Sequence, residues 1–387
     1  MPAIESFLGI IGIAAVGLAA TYALVALIAV VAWQLRRLPK PSVSLPAVTV
    51  LKPLCGAEPG LYENLRSFCR QDYPEFQVVF GVRDRNDPAL AVVERLIKEF
   101  PTLPIDVVID SRQHGSNRKT SSLINMLGRA RHDVLVMADS DAFARPDYLA
   151  RVPAPLWDPG VGLVTCLYHA APTQGIWSRL GAMYVNDWYM PSVLLARLFG
   201  HENYVSGQTL CLRRATLQAI GGLEKIASHL ADDYQLGELV RGLGLRTVLS
   251  PYFLRAEHHE PTPKSLIRHE LRWMRTIGVL RPRSFRFLFF TFTLPLALLG
   301  LLLAVQDSAY AAVAWPLLQF TIAVRLALHF LHRLGSDRPL LTDLWLLPIR
   351  DLLMGWIWFR SFFASRLTWR GSTFDVGADG IMRNKLL

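Results

Sequence analysis

Apolar residues fall into two kinds of run along this chain, long ones gathered toward the ends and short ones spaced through the middle. From residue 7 to residue 33, Leu, Ile, Val, Ala and Gly follow almost without interruption. At about 1.5 Å of rise per helical residue, that is enough to cross a hydrocarbon layer of about 30 Å. Two further runs, 287–305 and 309–331, follow the middle of the chain, separated by a short turn that carries Asp307 and no cation. A fourth, 340–364, is apolar and Trp-rich but has Arg350 and Asp351 at its centre, each costing about 2.5–3.5 kcal/mol at a bilayer midplane. The pattern predicts an N-terminal anchor, a membrane hairpin, then an interfacial, re-entrant or fourth membrane segment, and a tail over 365–387.

Between the runs, residues 47–283 read as one α/β domain. Short apolar stretches at 47–52, 77–83, 105–109 and 133–138 predict strands, and amphipathic stretches at 61–71, 89–100 and 119–130 predict helices between them. Strands alternating with helices imply a mostly parallel sheet covered on both faces, which binds ligands beyond the carboxyl ends of its strands.

Charge orients this arrangement. Arg36, Arg37 and Lys40 follow the first run, while Arg281, Arg283 and Arg286 precede the hairpin and His332, Arg333 and Arg338 follow it. The positive-inside rule then places 47–283 and both ends of the hairpin on the cytosolic side of the cytoplasmic (inner) membrane, in a multi-pass protein. The formal charge of +10 comes without a nucleic-acid motif, so anionic lipid headgroups and a nucleotide diphosphate are the expected partners, and nucleic acid is not. Cys55, Cys69, Cys166 and Cys211 form no C-x-x-C pair, as in a reduced compartment.

Acidic residues stand at or near the predicted strand ends: Asp84, the triplet Asp139-Ser140-Asp141, and Asp232-Asp233 before a later helix. Carboxylates two residues apart on an extended turn can face one divalent cation bridging a diphosphate, or can cap the segment starting near Pro146. Asp233 can take a proton from an attacking hydroxyl, or the pair can cap the following helix, with Asp232 capping while Asp233 reacts. Residues 264–278, KSLIRHELRWMRTIG, form a basic amphipathic pattern. It suits a helix lying on anionic lipid, and equally a site wall in which Arg272 forks onto a diphosphate and Trp273 lines an acceptor pocket. The His258-His259 pair beside Glu257 and Glu260 raises the alternative of a metal site, but adjacent histidines cannot easily share one ion, so they read as lining or surface residues.

With VTVLKPLCG at 48–56, QDYP at 71–74, GVRDRNDPA at 81–89, NRK at 117–119, DSD at 139–141 and LADDYQLG at 230–237, the chain resembles family 21 of the glycosyltransferases, the ceramide glucosyltransferase group of the type-A inverting class. The resemblance covers about 49–283. It implies a membrane-bound hexosyltransferase using a UDP-sugar donor, a lipid acceptor and a divalent metal, Mn or Mg. It further implies that Asp84 and Lys119 serve nucleotide-sugar binding, that Asp139 and Asp141 hold the metal and diphosphate, and that Asp233 is the base. His269, Arg272 and Trp273 match the motif that closes the site, with Arg272 also on the donor; His269 stands where many relatives of the wider class carry Gln or Arg.

HELRWMRTI at 269–277, MYVNDWYMPS at 183–192 and GQTLCLRR at 207–214 are most similar to hopanoid-modifying members of the family. That likeness implies transfer of N-acetylglucosamine from UDP-GlcNAc to bacteriohopanetetrol in hopanoid biosynthesis. Ceramide glucosylation from UDP-glucose shares every catalytic motif and stands beside it. A processive polysaccharide synthase would need more membrane wall than three spans offer. A lipid-binding scaffold would be expected to have lost at least one of the acidic positions.

Overall fold

The computed structural model describes residues 2–38, 45–333, 341–363, 366–369, 372–377 and 379–384. Lys40, Arg338, Arg370 and Lys385 lie outside the described residues. In chain order the elements are α1 (Pro2–Gln34), β1 (Val48–Pro53), α2 (Leu61–Cys69), β2 (Phe76–Val82), α3 (Ala89–Glu99), β3 (Ile105–Ile109), α4 (Arg118–Leu127), β4 (Val134–Met137) and β5 (Ala142–Phe143). Then come α5 (Tyr148–Arg151), β6 (Val161–Pro172), α6 (Ile176–Tyr184), α7 (Met190–Leu198), β7 (Leu210–Arg213), α8 (Arg214–Ala219), α9 (Asp232–Gly242) and β8 (Arg246–His258). The chain ends with α10 (Pro263–Leu280), α11 (Pro282–Arg286), α12 (Thr293–Ala304), α13 (Ser308–Arg333), α14 (Leu346–Ser361), β9 (Arg366–Trp369), β10 (Ser372–Val376) and β11 (Met382–Asn384). They form two compact units, a sheet unit (36–173, 201–259, 366–387) and a helical unit (1–35, 174–200, 260–365).

The sheet unit is built on an eight-stranded sheet of order β3-β2-β1-β4-β7-β6-β8-β5. β3, β2, β1 and β4 run parallel, as the alternation of strands and helices predicts. β7 runs antiparallel to both β4 and β6, and β6 pairs in parallel with β8. Both faces are covered because successive side chains of a strand point to opposite sides. Val48 and Val50 of β1 join Val78 and Phe80 under Leu65 and Phe68 of α2 and Val93 and Leu96 of α3. Leu51, Val79, Leu135 and Met137 lie on the other face with Met126 of α4 and Val240 of α9.

The C-terminal stretch, which reads as a tail in the sequence, folds as a three-stranded antiparallel sheet, β11-β10-β9. It is stitched to the loops ahead of α4 and α9. The Met382 N–H donates to the Ser228 carbonyl and the Leu230 N–H to Gly380, and Ser116 Oγ donates to the Met382 carbonyl at 2.7 Å.

In the helical unit, α1 and α13 contain stretches of 31 and 24 residues long and apolar enough to cross a membrane. The 287–305 run is not one helix. A 3-10 turn over Leu288–Thr291 precedes α12, which starts at Thr293 because Pro295 is tolerated only in a first helical turn. α1 and α12 touch backbone to backbone at Gly12 and Gly300: a methyl on Gly12 would stand 2.5 Å from the Gly300 carbonyl oxygen. Small residues allow such an approach between apolar helices.

α14 carries the two charges that the sequence places at the centre of 340–364, and neither is isolated. The buried Arg350 forks onto Glu270 of α10 at 2.6 and 2.7 Å, and Asp351 meets Arg325 of α13. The penalty attached to single charges in lipid therefore does not apply to them. Removing one partner alone should be severe. Arg350→Ala strands the buried Glu270 carboxylate and should cost about 3–5 kcal/mol, whereas Arg350→Met combined with Glu270→Leu should cost clearly less. Apparent melting temperatures of the three proteins in one detergent check this ordering.

Candidate functional site

At the carboxyl ends of the parallel strands the sheet unit gathers carboxylates and ammonium groups. The penultimate residue of β1 is Lys52, fully buried, whose ammonium donates to the Asp139 carbonyl and lies 3.7 Å over the Phe68 ring. Burial pulls its pKa down to about 7 against the attraction of Asp141 and Asp139. β4 delivers Asp139, whose carboxylate is paired with Lys119. Lys119 is aimed by the N-terminus of α4, where the buried Asn117 caps the helix by accepting from the Thr120 N–H at 3.1 Å. Burial alone would depress the Lys119 pKa, but Asp139, Asp232 and Asp233 outweigh it and hold it above the usual value.

Asp141, two residues on, accepts from Gln208 Nε2 at 3.3 and 3.5 Å. Burial and the neighbouring Asp139 push its pKa up to about 7. Asp233 stands at the start of α9, where Oδ2 accepts from the Gly207 N–H at 2.9 Å and Oδ1 from the Tyr234 N–H at 2.7 Å. Burial and Asp232 raise its pKa to about 6.

Gly207 is where these groups converge. A methyl placed on it would stand 3.0 Å from Lys119 Nζ, 3.5 Å from Asp233 Oδ2 and 3.8 Å from Asp139 Oδ2. The space beside its Cα is thus a cradle of opposed charges that any side chain would fill. Asp139 and Asp141 supply the hard oxygen donors that suit a divalent cation, and their mutual repulsion in a buried setting is what such a cation would relieve.

The capping alternatives are not what the structure shows. The helix after Pro146 begins at Tyr148 with Asp147 as its N-cap residue, so the DSD triplet caps nothing there. The N-cap of α9 is Ala231, without a side-chain bond. Asp232 instead accepts from Thr120 Oγ1 at 3.0 Å, tying α9 to α4. Asp84 follows β2 in an exposed turn, accepting from the Asn86 N–H at 2.9 Å.

α10 of the helical unit carries the remaining predicted residues. Thr262 and Ser265 form a capping box at its start, with Pro263 in its first turn. Leu266, Glu270 and Met274 are its buried stripe. His269 and Trp273 lie one turn apart with ring centroids 4.1 Å apart, and Trp273 packs on Tyr184 at 5.0 Å. Arg272 is half-buried beside them. His269 Nδ1 meets Glu260 Oε1 at 2.6 Å; burial lowers the His269 pKa, Glu260 opposing and Arg272 adding to the effect. Ser178 fixes Glu260 in turn, its Oγ accepting from the Glu260 N–H at 2.8 Å.

Lys52 and Gln208 belong to these arrangements without having been singled out by sequence, and Glu260 stood out there only as a neighbour of the His258-His259 pair. Lys52 carried a signal of its own, a lysine inside the apolar stretch AVTVLK.

The family model described as Glycosyl transferase family 21 matches residues 12–382. Ceramide glucosyltransferase 1 of Caenorhabditis elegans is 22% identical over 370 residues, 89% of this chain and 74% of that one. Ceramide glucosyltransferase 3 of the same organism is 23% identical over 239 residues, 61% and 51% of the two chains. Among solved structures, the mannosyltransferase PcManGT of Pyrobaculum calidifontis, in complex with GDP-Man and Mn2+, superposes with a TM-score of 0.52 at 19% identity, covering 92% of this chain and 98% of that one. That likeness bears on the fold, a nucleotide-sugar-binding α/β sheet. Matched along nearly its whole length, the chain belongs to glycosyl transferase family 21 and is a nucleotide-sugar-dependent glycosyltransferase.

Proposed function

We propose that the protein moves a sugar from a UDP-sugar to the hydroxyl of a lipid by a single in-line displacement that inverts the anomeric centre. The observation that carries this reading is the convergence of Lys119, Asp139 and Asp233 on the space beside Gly207. Asp233 takes the proton of the attacking hydroxyl, its two backbone N–H donors fixing the carboxylate in place. Lys119 and Lys52 offset negative charge beside Asp139 and Asp141, and Lys119, with Asp84 beyond β2, serves the nucleotide sugar. Asp139 and Asp141 would hold a divalent metal, Mn or Mg, which supplies Lewis-acid stabilisation of the departing diphosphate; the mannosyltransferase relative is in complex with Mn2+. From α10, Arg272 offers a planar fork suited to a diphosphate and Trp273 an aromatic wall for the acceptor. Glu260 holds His269 in place through Nδ1.

The apolar stretches of α1 and α13, with Arg36, Arg37, Arg281, Arg283 and Arg286 beside the hydrophobic runs, support a multi-pass protein of the cytoplasmic membrane with its sheet unit in the cytosol.

Two acceptors fit. The relatives that are ceramide glucosyltransferases favour glucose transfer from UDP-glucose to ceramide. The motifs at 183–192, 207–214 and 269–277 favour N-acetylglucosamine transfer from UDP-GlcNAc to a hopanoid such as bacteriohopanetetrol. Mass spectrometry of lipid extracts from cells with and without the gene separates them, since a hexosyl ceramide and an N-acetylhexosaminyl hopanoid differ in mass.

Asp233→Asn should lower kcat by about 10²–10⁴-fold and leave UDP-sugar binding intact by calorimetry. Because the base must be ionised and its pKa is raised to about 6, wild-type turnover should climb tenfold per pH unit below about pH 6 and level off above it. The same shift carries a stability sign. A carboxyl raised from its ordinary value in the folded state opposes folding when ionised, negligibly below about pH 4 and fully above about pH 6. Apo Asp233→Asn should therefore melt higher than wild type at pH 7.5, which a residue kept for stability would not do. Asp141→Asn should abolish the dependence of UDP-sugar binding on added Mn2+. Glu260→Gln should lower kcat without raising the KM for the UDP-sugar, whereas a rise in that KM alone would assign Glu260 to donor binding.

A further inference from the structure

Buried charges also meet inside the helical unit. Arg325 of α13 forks onto Asp351 of α14, Nε to Oδ2 at 3.1 Å and Nη2 to Oδ1 at 2.9 Å. Its third nitrogen, Nη1, lies 3.4 Å from Asp187 Oδ2 without hydrogen-bond geometry, and Asp187 Oδ2 meets His329 Nδ1 at 2.8 Å. Arg325, Asp187 and His329 are buried. Packing alone does not ask for this, because apolar residues of similar volume hold helices together at least as well as buried ion clusters. Ionisable groups within membrane segments instead mark sites.

These groups share a cleft. Arg325, Arg350, Asp351 and Asp187 line it together with Ala23 and Ala26 of α1, Trp188 and Met354. Counted out to its open mouth, the cleft spans about 510 Å³ of non-atom space. Asp187 and Trp188 are presented by a π-helical turn, Val185–Tyr189, between α6 and α7, a device found mostly at functional sites. Aromatic contacts run from the cleft wall to the α10 motif: Trp188 to Tyr184 at 5.2 Å, then Tyr184 to Trp273 at 5.0 Å.

The donors and acceptors of the wall select the ligand. Two buried donors, Arg325 Nη1 and Arg350 Nε, have no hydrogen-bond partner. Each Asp351 oxygen takes one bond from Arg325, and a carboxylate oxygen has room for a second. A hydroxyl both accepts from such donors and donates to such a carboxylate. A phosphodiester without hydroxyls can only accept, and it would face a cluster in which Asp187, Asp351 and Glu270 stand beside Arg325, Arg350 and His329, with no excess of positive charge to hold it.

We infer that this cleft binds a neutral, hydroxyl-bearing lipid, its polar group against Arg325 and Asp351 and its apolar body along Ala23, Ala26 and Met354. The inference rests on the lipid-acceptor reading above and gives that acceptor a subsite within the helical unit. The test uses the full chain in nanodiscs with three diazirine-bearing probes: ceramide, bacteriohopanetetrol and phosphatidylmethanol, an anionic lipid without a hydroxyl. Labelling of cleft residues by ceramide or bacteriohopanetetrol, displaced by the same unlabelled lipid and absent with phosphatidylmethanol, is the expected result. Equal labelling by phosphatidylmethanol, or labelling that avoids the cleft, overturns the inference. Ala26→Phe, which fills the cleft, should raise the acceptor KM at least tenfold while the Kd for UDP-sugar stays unchanged. Leu24→Phe on the exposed side of α1 controls for added bulk, and an acceptor KM no different between the two variants also overturns it. Labelling is read on wild-type protein without turnover, so a protein that binds the neutral probe in the cleft but transfers no sugar refutes the transferase reading and leaves the cleft standing.

Discussion

Lys52 and Lys119 are the counter-charges that make the rest of the sheet-unit site possible. Asp139, Asp141 and Asp233 are held in partly or wholly desolvated positions where carboxylates repel one another and lose hydration. A buried ammonium at the end of β1 and another in the first turn of α4 allow that concentration of charge without unfolding the strand ends. Much of the surrounding structure serves to fix these two groups. Lys52 lies over the Phe68 ring, and Lys119 follows a buried Asn117 whose side chain both caps α4 and donates to the His229 carbonyl at 3.1 Å. The antiparallel β7 matters for the same reason, since the turn that enters it carries Gly207 and Gln208, which donate to Asp233 and Asp141. β9, β10 and β11 close the arrangement by bonding to the loops before α4 and α9.

A site organised in this way works against the apo fold. Raised carboxyl pKa values mean that the ionised forms needed at neutral pH are the ones folding disfavours, and a bound cation and diphosphate would return that free energy through linkage. Surface carboxylates that serve local structure show the opposite sign and are held below their ordinary range, as for Asp158 beside the Gly160 N–H and Arg246. The difference in direction sets Asp141 and Asp233 apart from surface carboxylates of the same unit such as Asp158 and Asp110.

Much of this was legible in the sequence where the signal is local. β1 to β4 and the helices between them fall within a few residues of the periodicity, because buried parallel strands demand uninterrupted apolar residues. Asp139, Asp141 and Asp233 stood out because strand ends and helix starts are marked by composition. Long-range pairing was not legible. Nothing around Arg350 or Asp351 names Glu270 or Arg325 as partners, so the two charges read as a penalty when they are pairs. Gly207 and Gln208 owe their place to β7 running against β4 and β6, a topological fact no window of sequence contains. The β9 to β11 sheet escaped because its strands are short and its buried contacts, Phe374 and Met382 against Leu230, are few.

The helical unit repeats the sheet unit's logic in a different medium. Local propensity, packing and polar satisfaction agree along most of α1, α12 and α13, and where a fold is locally consistent its exceptions carry information. The exceptions here sit together: a π-helical turn in place of an α-helical one, charges in apolar helices, and guanidinium nitrogens left without acceptors. Each alone has a bland explanation in helix packing. Their meeting on one cleft does not, because an acceptor entering that space would satisfy the orphaned donors, use the open carboxylate oxygens and cover the apolar wall in one event. The Arg350–Glu270 pair closes two guanidinium nitrogens on two carboxylate oxygens and leaves only Nε without an acceptor. Arg325 differs from it in placing Nη1 beside a second carboxylate, Asp187, on the same cleft, and that second carboxylate sets a binding wall apart from a packed ion pair.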